Sequence, residues 1–356
     1  MTRTTQTTTG ALSRFKYIET SPTLGREYPD IQLSSIIDDD ELVRDIAITV
    51  SERGVLFFKD QDLGPSDLKR LVSKIGEVMG HPEEAGLHRS ALSGQKDKHL
   101  GIPEQDDPNI LIISSESQKK TLKDSLPAAT RRLASWGWHS DESQEKYPPA
   151  YTAFKIAKSP PTGGDTLFVS AYGLYDRLSE PFQKFAESLT GEYTFFLQGL
   201  QISDESKATH HAAEYHRVHE NGVPWEDDVP RGHPENIGFD FKQSHPVVRT
   251  NPVTGWKSLF GVGWGLVDGW YDNMSQHESN LLRDFFLSMI TNCSDLQIRR
   301  KWDDNAVAIW DNRAVHHNPT YDVVEGERLT FRVTGIGEKP YLDPSSTTRT
   351  EALSKQ

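Results

Sequence analysis

Two hydrophobic periods alternate along the chain. Val55, Leu56, Phe57 and Phe58 form a short apolar run that suits a buried strand. Ser66 then opens a helix whose Leu68, Leu71, Val72 and Ile75 share one face. Tyr151 to Ala157 reads as a strand, followed by the turn SPPTGGDT over 159–166 and a second strand through Leu167, Phe168 and Val169. Leu174, Leu178, Phe182, Phe185 and Leu189 recur at helical spacing and predict one amphipathic helix over 174–189. Ser275 and Glu278 form a capping box ahead of Leu281, Leu282, Phe285 and Phe286. Further strands are predicted near 297–302, 306–310 and 328–335. The acidic run Asp38–Glu41 precedes a helix starting near Leu42, where negative charge favours the helix N-terminus.

The remaining segments carry little periodicity. Residues 1–25 read as a flexible arm, 82–135 as a long loop, 200–245 as a polar insertion and 346–356 as a tail, which leaves one domain over 26–345. Neither an internal repeat nor a glycine-rich phosphate loop is found, and short strands outnumber helices without βαβ alternation. The predicted fold class is therefore mainly β with flanking helices, a sandwich or double-stranded β-helix (jelly roll).

Composition narrows the function. With 39 Lys and Arg against 52 Asp and Glu, the charge of −13 argues against a nucleic-acid partner. No apolar run is long enough to span a membrane, and the opening residues lack the apolar stretch of a secretory signal. The lone Cys293 cannot form an internal disulfide, so a cytoplasmic location is expected.

Among 13 histidines, the pattern His-x-acid occurs at His81/Glu83, His139/Asp141 and His233/Glu235. His81 and His233 are each followed by proline, which favours a turn, whereas an extended 139–141 segment would turn His139 and Asp141 to one face as paired metal ligands. The apolar run Ala306–Trp310 leads through Asp311, Asn312 and Arg313 to adjacent His316 and His317, of which one faces a metal. Downstream, alternation sets Arg328, Thr330 and Arg332 on one strand face and Leu329, Phe331 and Val333 on the other. The two arginine positions begin roughly 13 Å apart, too far for one small carboxylate, so two anions are implied. Two features, one rich in histidine and one in tryptophan, receive blander readings. His210, His211, His216 and His219 read as a solvated segment in preference to a zinc site, and Trp256, Trp264 and Trp270 as packing in preference to a substrate pocket.

These features, with Gly54–Gln61, Ile75–Glu77, Trp138–Asp141, Gly163–Thr166, His245–Thr250 and Trp310–Arg313, resemble the taurine/α-ketoglutarate dioxygenase family of non-haem iron(II) oxygenases over about residues 40–340. The resemblance implies an iron(II) site of His139, Asp141 and His317, with His316 turned away. It further implies that Thr166 and Arg328 bind the distal carboxylate of the cosubstrate 2-oxoglutarate, and that Arg332 holds a substrate anion. His81 in Gly-His-Pro is a looser match to a second substrate-binding residue. Leu259–Trp264 departs from the family pattern, which leaves the substrate pocket open to difference. With dioxygen as second cosubstrate, the implied reaction oxidises a C–H bond and yields succinate and carbon dioxide. The substrate expected is a small anion, first an organosulfonate such as taurine, which would release sulfite and an aldehyde. The alternative is an amino-acid-derived or other carboxylate metabolite. A non-catalytic jelly-roll module, or a hydrolytic zinc site on the same ligands, would leave Thr166 and the arginine pair unexplained. The resemblance leaves a homodimer or homotetramer open.

Overall fold

The computed structural model describes residues 5–90, 102–116, 133–194, 229–238, 242–262 and 271–355. Its principal layer is a seven-stranded sheet. The strand order is β1 (Ile18–Glu19), β2 (Arg26–Tyr28), β3 (Val55–Phe58), β12 (Val307–Asp311), β5 (Pro149–Lys158), β14 (Leu329–Ile336) and β4 (Leu111–Ser114). Every pairing is antiparallel except β2 with β3. Opposite it lies a three-stranded antiparallel sheet ordered β11 (Gln297–Arg300), β6 (Thr166–Ser170) and β13 (Val315–Pro319).

Residue alternation decides what each face of the large sheet meets. Leu56, Phe58, Tyr151, Ala153, Val307, Ile309, Phe331 and Val333 pack against α1 (Asp40–Arg53) and α2 (Pro65–Val78). Their neighbours Val55, Phe57, Phe154, Ile156, Ala308 and Trp310 turn the other way, against Phe168, Ile298 and Val315 of the three-stranded sheet. Two-stranded pairs β7 (Thr190–Thr194) with β8 (Lys242–Pro246), and β9 (Val248–Thr250) with β10 (Lys257–Leu259), complete the β structure described. The architecture is thus mixed, with several sheets and flanking helices. Among the described residues, no helix is long and apolar enough to cross a membrane.

Helix α1 starts where the acidic run predicts, with the Asp39 side chain accepting from the Leu42 N–H at 3.1 Å. Likewise α5 (Gln276–Asn292) begins at the Ser275–Glu278 capping box. Several expectations need correction. The helix expected over 174–189 is two short helices, α3 (Ala171–Asp176) and α4 (Glu180–Glu187). Pro181 has no N–H for the carbonyl of Arg177, so the first helix stops and the second restarts with proline in its first turn. The presumed loop 82–135 contributes β4, which pairs with β14 through Leu111–Ser114. The described part of the arm is docked: the Thr9 and Gly10 N–H groups donate to Asp45, and Leu12 is buried. The tail forms α6 (Arg349–Leu353), whose Thr350 donates to Asp176 at the end of α3. His210, His211, His216, His219, Trp264 and Trp270 lie outside the described residues, as does most of 200–245.

Candidate active site

The cavity between the two sheets collects the residues with chemistry. His317 lies at the middle of β13, opposite Phe168 of β6. His139 joins it through a lone antiparallel bridge, each backbone N–H donating to the other's carbonyl at 3.0 and 2.9 Å. Gly137 makes that approach possible, because its φ is 92° and a Cβ there would stand 2.7 Å from Asn318 Oδ1. The Gly137 carbonyl accepts from His139 Nδ1 at 2.8 Å, which places the proton on Nδ1 and leaves the Nε2 lone pair for a ligand.

Asp141 completes the group. Its Oδ1 lies 3.9 Å from His139 Nε2 and 3.7 Å from His317 Nε2, and one donor atom from each of the three falls within 4.8 Å of the others. Burial lowers the pKa of both imidazoles, so each is neutral at pH 7 with its lone pair available. Burial opposes ionisation of Asp141 too, but the Arg332 charge, the two imidazoles and the Thr152 hydroxyl hold its carboxyl down to about 2. Two neutral imidazoles and one carboxylate form a donor set that fits non-haem iron(II). His316 faces the other side of its strand and meets the Leu259 carbonyl at 2.9 Å, as alternation requires.

Farther along the cavity, the Thr166 hydroxyl accepts from the Trp302 indole at 3.0 Å, which leaves its own proton to donate to an anion. Arg328 lies in the same cavity, 7% exposed, with its guanidinium over the Phe154 ring at 5.4 Å. Its Nε donates to the Gly164 carbonyl at 2.9 Å. Gly164, at φ 69°, is required there because a Cβ would meet Arg328 Cδ at 2.8 Å. Burial depresses the Arg328 pKa to about 10, and nearby Asp165 is already paired with Arg299 at 2.6 Å. Arg332 also lines the cavity, but its guanidinium meets Asp141 Oδ1 at 2.5 Å and Glu142 Oε1 at 3.4 Å.

The structure thus gathers His139, Asp141, His317, Thr166, Arg328 and Arg332. His81 does not join them. Its ring stacks on Tyr151 at 6.0 Å, and Tyr151 points toward the helix layer, across the large sheet from the cavity. The third His-x-acid pair is also excluded, because His233 Nδ1 caps the Glu235 N–H at 3.1 Å and its ring stacks on Tyr147.

Sequence reading missed Trp302, Thr152 and the role of Asn312. Thr152 donates to Asp141 Oδ2 at 3.0 Å, and Asn312 Nδ2 donates to Thr152 Oγ1 at 2.8 Å. A threonine inside the stretch Tyr151–Ala157, apolar apart from Thr152 and Lys155, was the available signal, since a buried hydroxyl needs a partner. Nothing in the residues around Trp302 pointed to Thr166.

Residues 16–334 match the family described as "Taurine catabolism dioxygenase TauD, TfdA family". The chain is 39% identical to the alpha-ketoglutarate-dependent dioxygenase btcD of Neocamarosporium betae, covering 97% of each. It is 32% identical to a putative alpha-ketoglutarate-dependent sulfonate dioxygenase of Schizosaccharomyces pombe, covering 93% of this chain and 71% of that one. In fold it is similar to a putative taurine dioxygenase structure from Burkholderia xenovorans, with a TM-score of 0.64, 21% identity, and coverage of 94% and 93%. With a matched family over most of its length and a relative this similar, the chain belongs to the TauD/TfdA family and is an alpha-ketoglutarate-dependent dioxygenase, an oxidoreductase.

Proposed function

We propose that this enzyme binds iron(II) through His139, Asp141 and His317 and holds 2-oxoglutarate with Arg328 and Thr166. With dioxygen, it then oxidises a C–H bond of a small carboxylate-bearing metabolite such as an amino-acid derivative. The observation that carries the reading is Arg328. It is a buried cation with no carboxylate paired to its fork among the described residues, and it shares a cavity with Thr166 and the His-Asp-His group. The metal and cosubstrate supply the oxidising chemistry, releasing succinate and carbon dioxide. The chain's own contribution is to orient and to exclude water, with Phe154, Phe168 and Trp302 forming the apolar wall around the charged groups. In this reading the two facing sheets are the walls of a double-stranded β-helix, and Arg332 stands on the substrate side.

An organosulfonate such as taurine is the second reading. It draws on the relative named for sulfonates, which is less similar than the 39% relative, and on Arg332, whose guanidinium already meets two carboxylates.

Anaerobic addition of 2-oxoglutarate to the iron(II)-loaded protein tests the cosubstrate site. A weak visible charge-transfer band is expected, and its absence in folded, metal-loaded protein would sink the assignment. His139→Ala and Asp141→Ala are expected to abolish succinate formation with the fold retained. Assays for succinate with candidate carboxylates, and for sulfite with sulfonates, separate the two substrate classes.

A further inference from the structure

A carboxylate offers a metal two oxygens, and in Asp141 the one nearest both imidazoles is Oδ1, on which Arg332 also donates. Oδ2 accepts instead from Thr152. We infer that Asn312 and Thr152 are positioning residues that select which oxygen of Asp141 meets the metal, and thereby set metal affinity. This rests on the metal site proposed above.

The direction of the hydrogen bonds follows from donor chemistry. The Trp310 indole and the Asp141 backbone N–H can only donate, and both point at one Asn312 side-chain atom, at 3.0 and 3.2 Å. That atom must be the carbonyl Oδ1, so the amide Nδ2 faces Thr152 Oγ1 at 2.8 Å. Having accepted from Asn312, the Thr152 hydroxyl is left to donate to Asp141 Oδ2 at 3.0 Å, nearer than its other neighbour, Thr334 Oγ1, at 3.3 Å. Ser140 ties the same loop to the Asn312 carbonyl at 2.8 Å. All of these residues are buried, so water does not compete for the carboxylate. A relay running from Trp310 through Asn312 and Thr152 therefore ends on Oδ2 of Asp141 and leaves Oδ1 as the oxygen nearest the imidazoles.

Manganese(II), a redox-inert stand-in for iron(II), provides the test through titration followed by electron paramagnetic resonance. Thr152→Val keeps the β-branched shape and removes the hydroxyl, and it is expected to weaken manganese binding about 10- to 100-fold, the usual effect of losing a group that orients a metal ligand. Thr152→Ser should restore most of that loss. Asn312→Ala should weaken binding too, and the double variant should bind no worse than the weaker single variant, because either change already breaks the relay. Melting of the metal-free proteins separates a purely structural role, which would lower stability without moving the affinity. Wild-type affinity in Thr152→Val, or failure of Thr152→Ser to restore binding, overturns the proposal. Should Thr152→Val not fold, Asn312→Ala carries the same expectation, and unchanged affinity there overturns it equally. If wild-type protein does not bind manganese, or if His139→Ala binds it normally, the metal site itself is refuted and the relay falls with it.

Discussion

Arg313 and Arg328 are both buried arginines, yet their surroundings are opposite. Arg313 lies behind the large sheet, 1% exposed, with its Nε and Nη2 on the two Asp311 oxygens at 2.7 and 2.8 Å and its Nη1 on Glu338 at 3.2 Å. Ser51 and Asn251 supply two more donors to Asp311, and Arg249 pairs with Glu338 at 2.6 Å. Burial works against the Arg313 charge, but Asp311, Tyr151 and Glu338 together outweigh it and the pKa is raised; for Arg328, burial prevails and lowers it to about 10. One cation is satisfied by carboxylates of the chain, while the other has no carboxylate paired to its fork among the described residues, as the proposed cosubstrate site requires. Burial alone therefore does not mark a functional residue. The mark is a buried charge whose partner the fold withholds.

Replacing each arginine by methionine tests this contrast directly. Arg313→Met strands Asp311 and Glu338 and should cost about 3–5 kcal/mol of stability, read as a fall in the urea midpoint. An undiminished midpoint would mean the network contributes little. Arg328→Met should leave the stability of the cosubstrate-free protein unchanged or raised, while 2-oxoglutarate binding weakens on the order of 100-fold, since at least two charge-assisted hydrogen bonds are lost. Equilibrium titration of the cosubstrate checks it, and a stability loss like that of Arg313→Met would erase the distinction.

The smallest effect concerns His245, whose Nε2 meets the Glu145 carbonyl at 2.9 Å while its Nδ1 has no partner among the described residues. Burial depresses its pKa to about 4, below the unfolded value near 6.5, so the folded protein binds fewer protons than the unfolded chain between these limits. Its contribution is complete above pH 6.5 and fades as pH falls toward 4, amounting to about 2 kcal/mol lost by pH 5. Comparing urea midpoints at pH 7 and pH 5 for wild type and His245→Gln should show a shallower drop in the variant. Equal drops would assign the acid sensitivity elsewhere.

Much of this was legible in the linear pattern. The capping box at Ser275, the acidic start of α1 and the alternation that parts Arg328 and Arg332 from Phe331 and Val333 are local rules, and the structure obeys them. Choosing His317 over His316 followed from the family spacing and from strand alternation. The single helix over 174–189 failed because hydrophobic periodicity was weighed without Pro181, which breaks backbone hydrogen bonding while leaving the apolar spacing intact. β4 was missed because Ile110–Ile113 is a short run inside a polar stretch, and its strand character comes from the open edge of β14.

By itself, then, the sequence determined the local elements and the candidate side chains for a metal and two anions. Periodicity, capping and spacing act between residues close in the chain, so they can be read there. Only the tertiary structure decided that His81 lies across the sheet from the cavity, and that Arg332 meets Asp141 whereas the Arg328 fork has no carboxylate paired to it among the described residues. These outcomes depend on contacts between residues far apart in the chain, from 70 positions for His81 and Tyr151 to 191 for Asp141 and Arg332, and no local rule contains the register that brings them together.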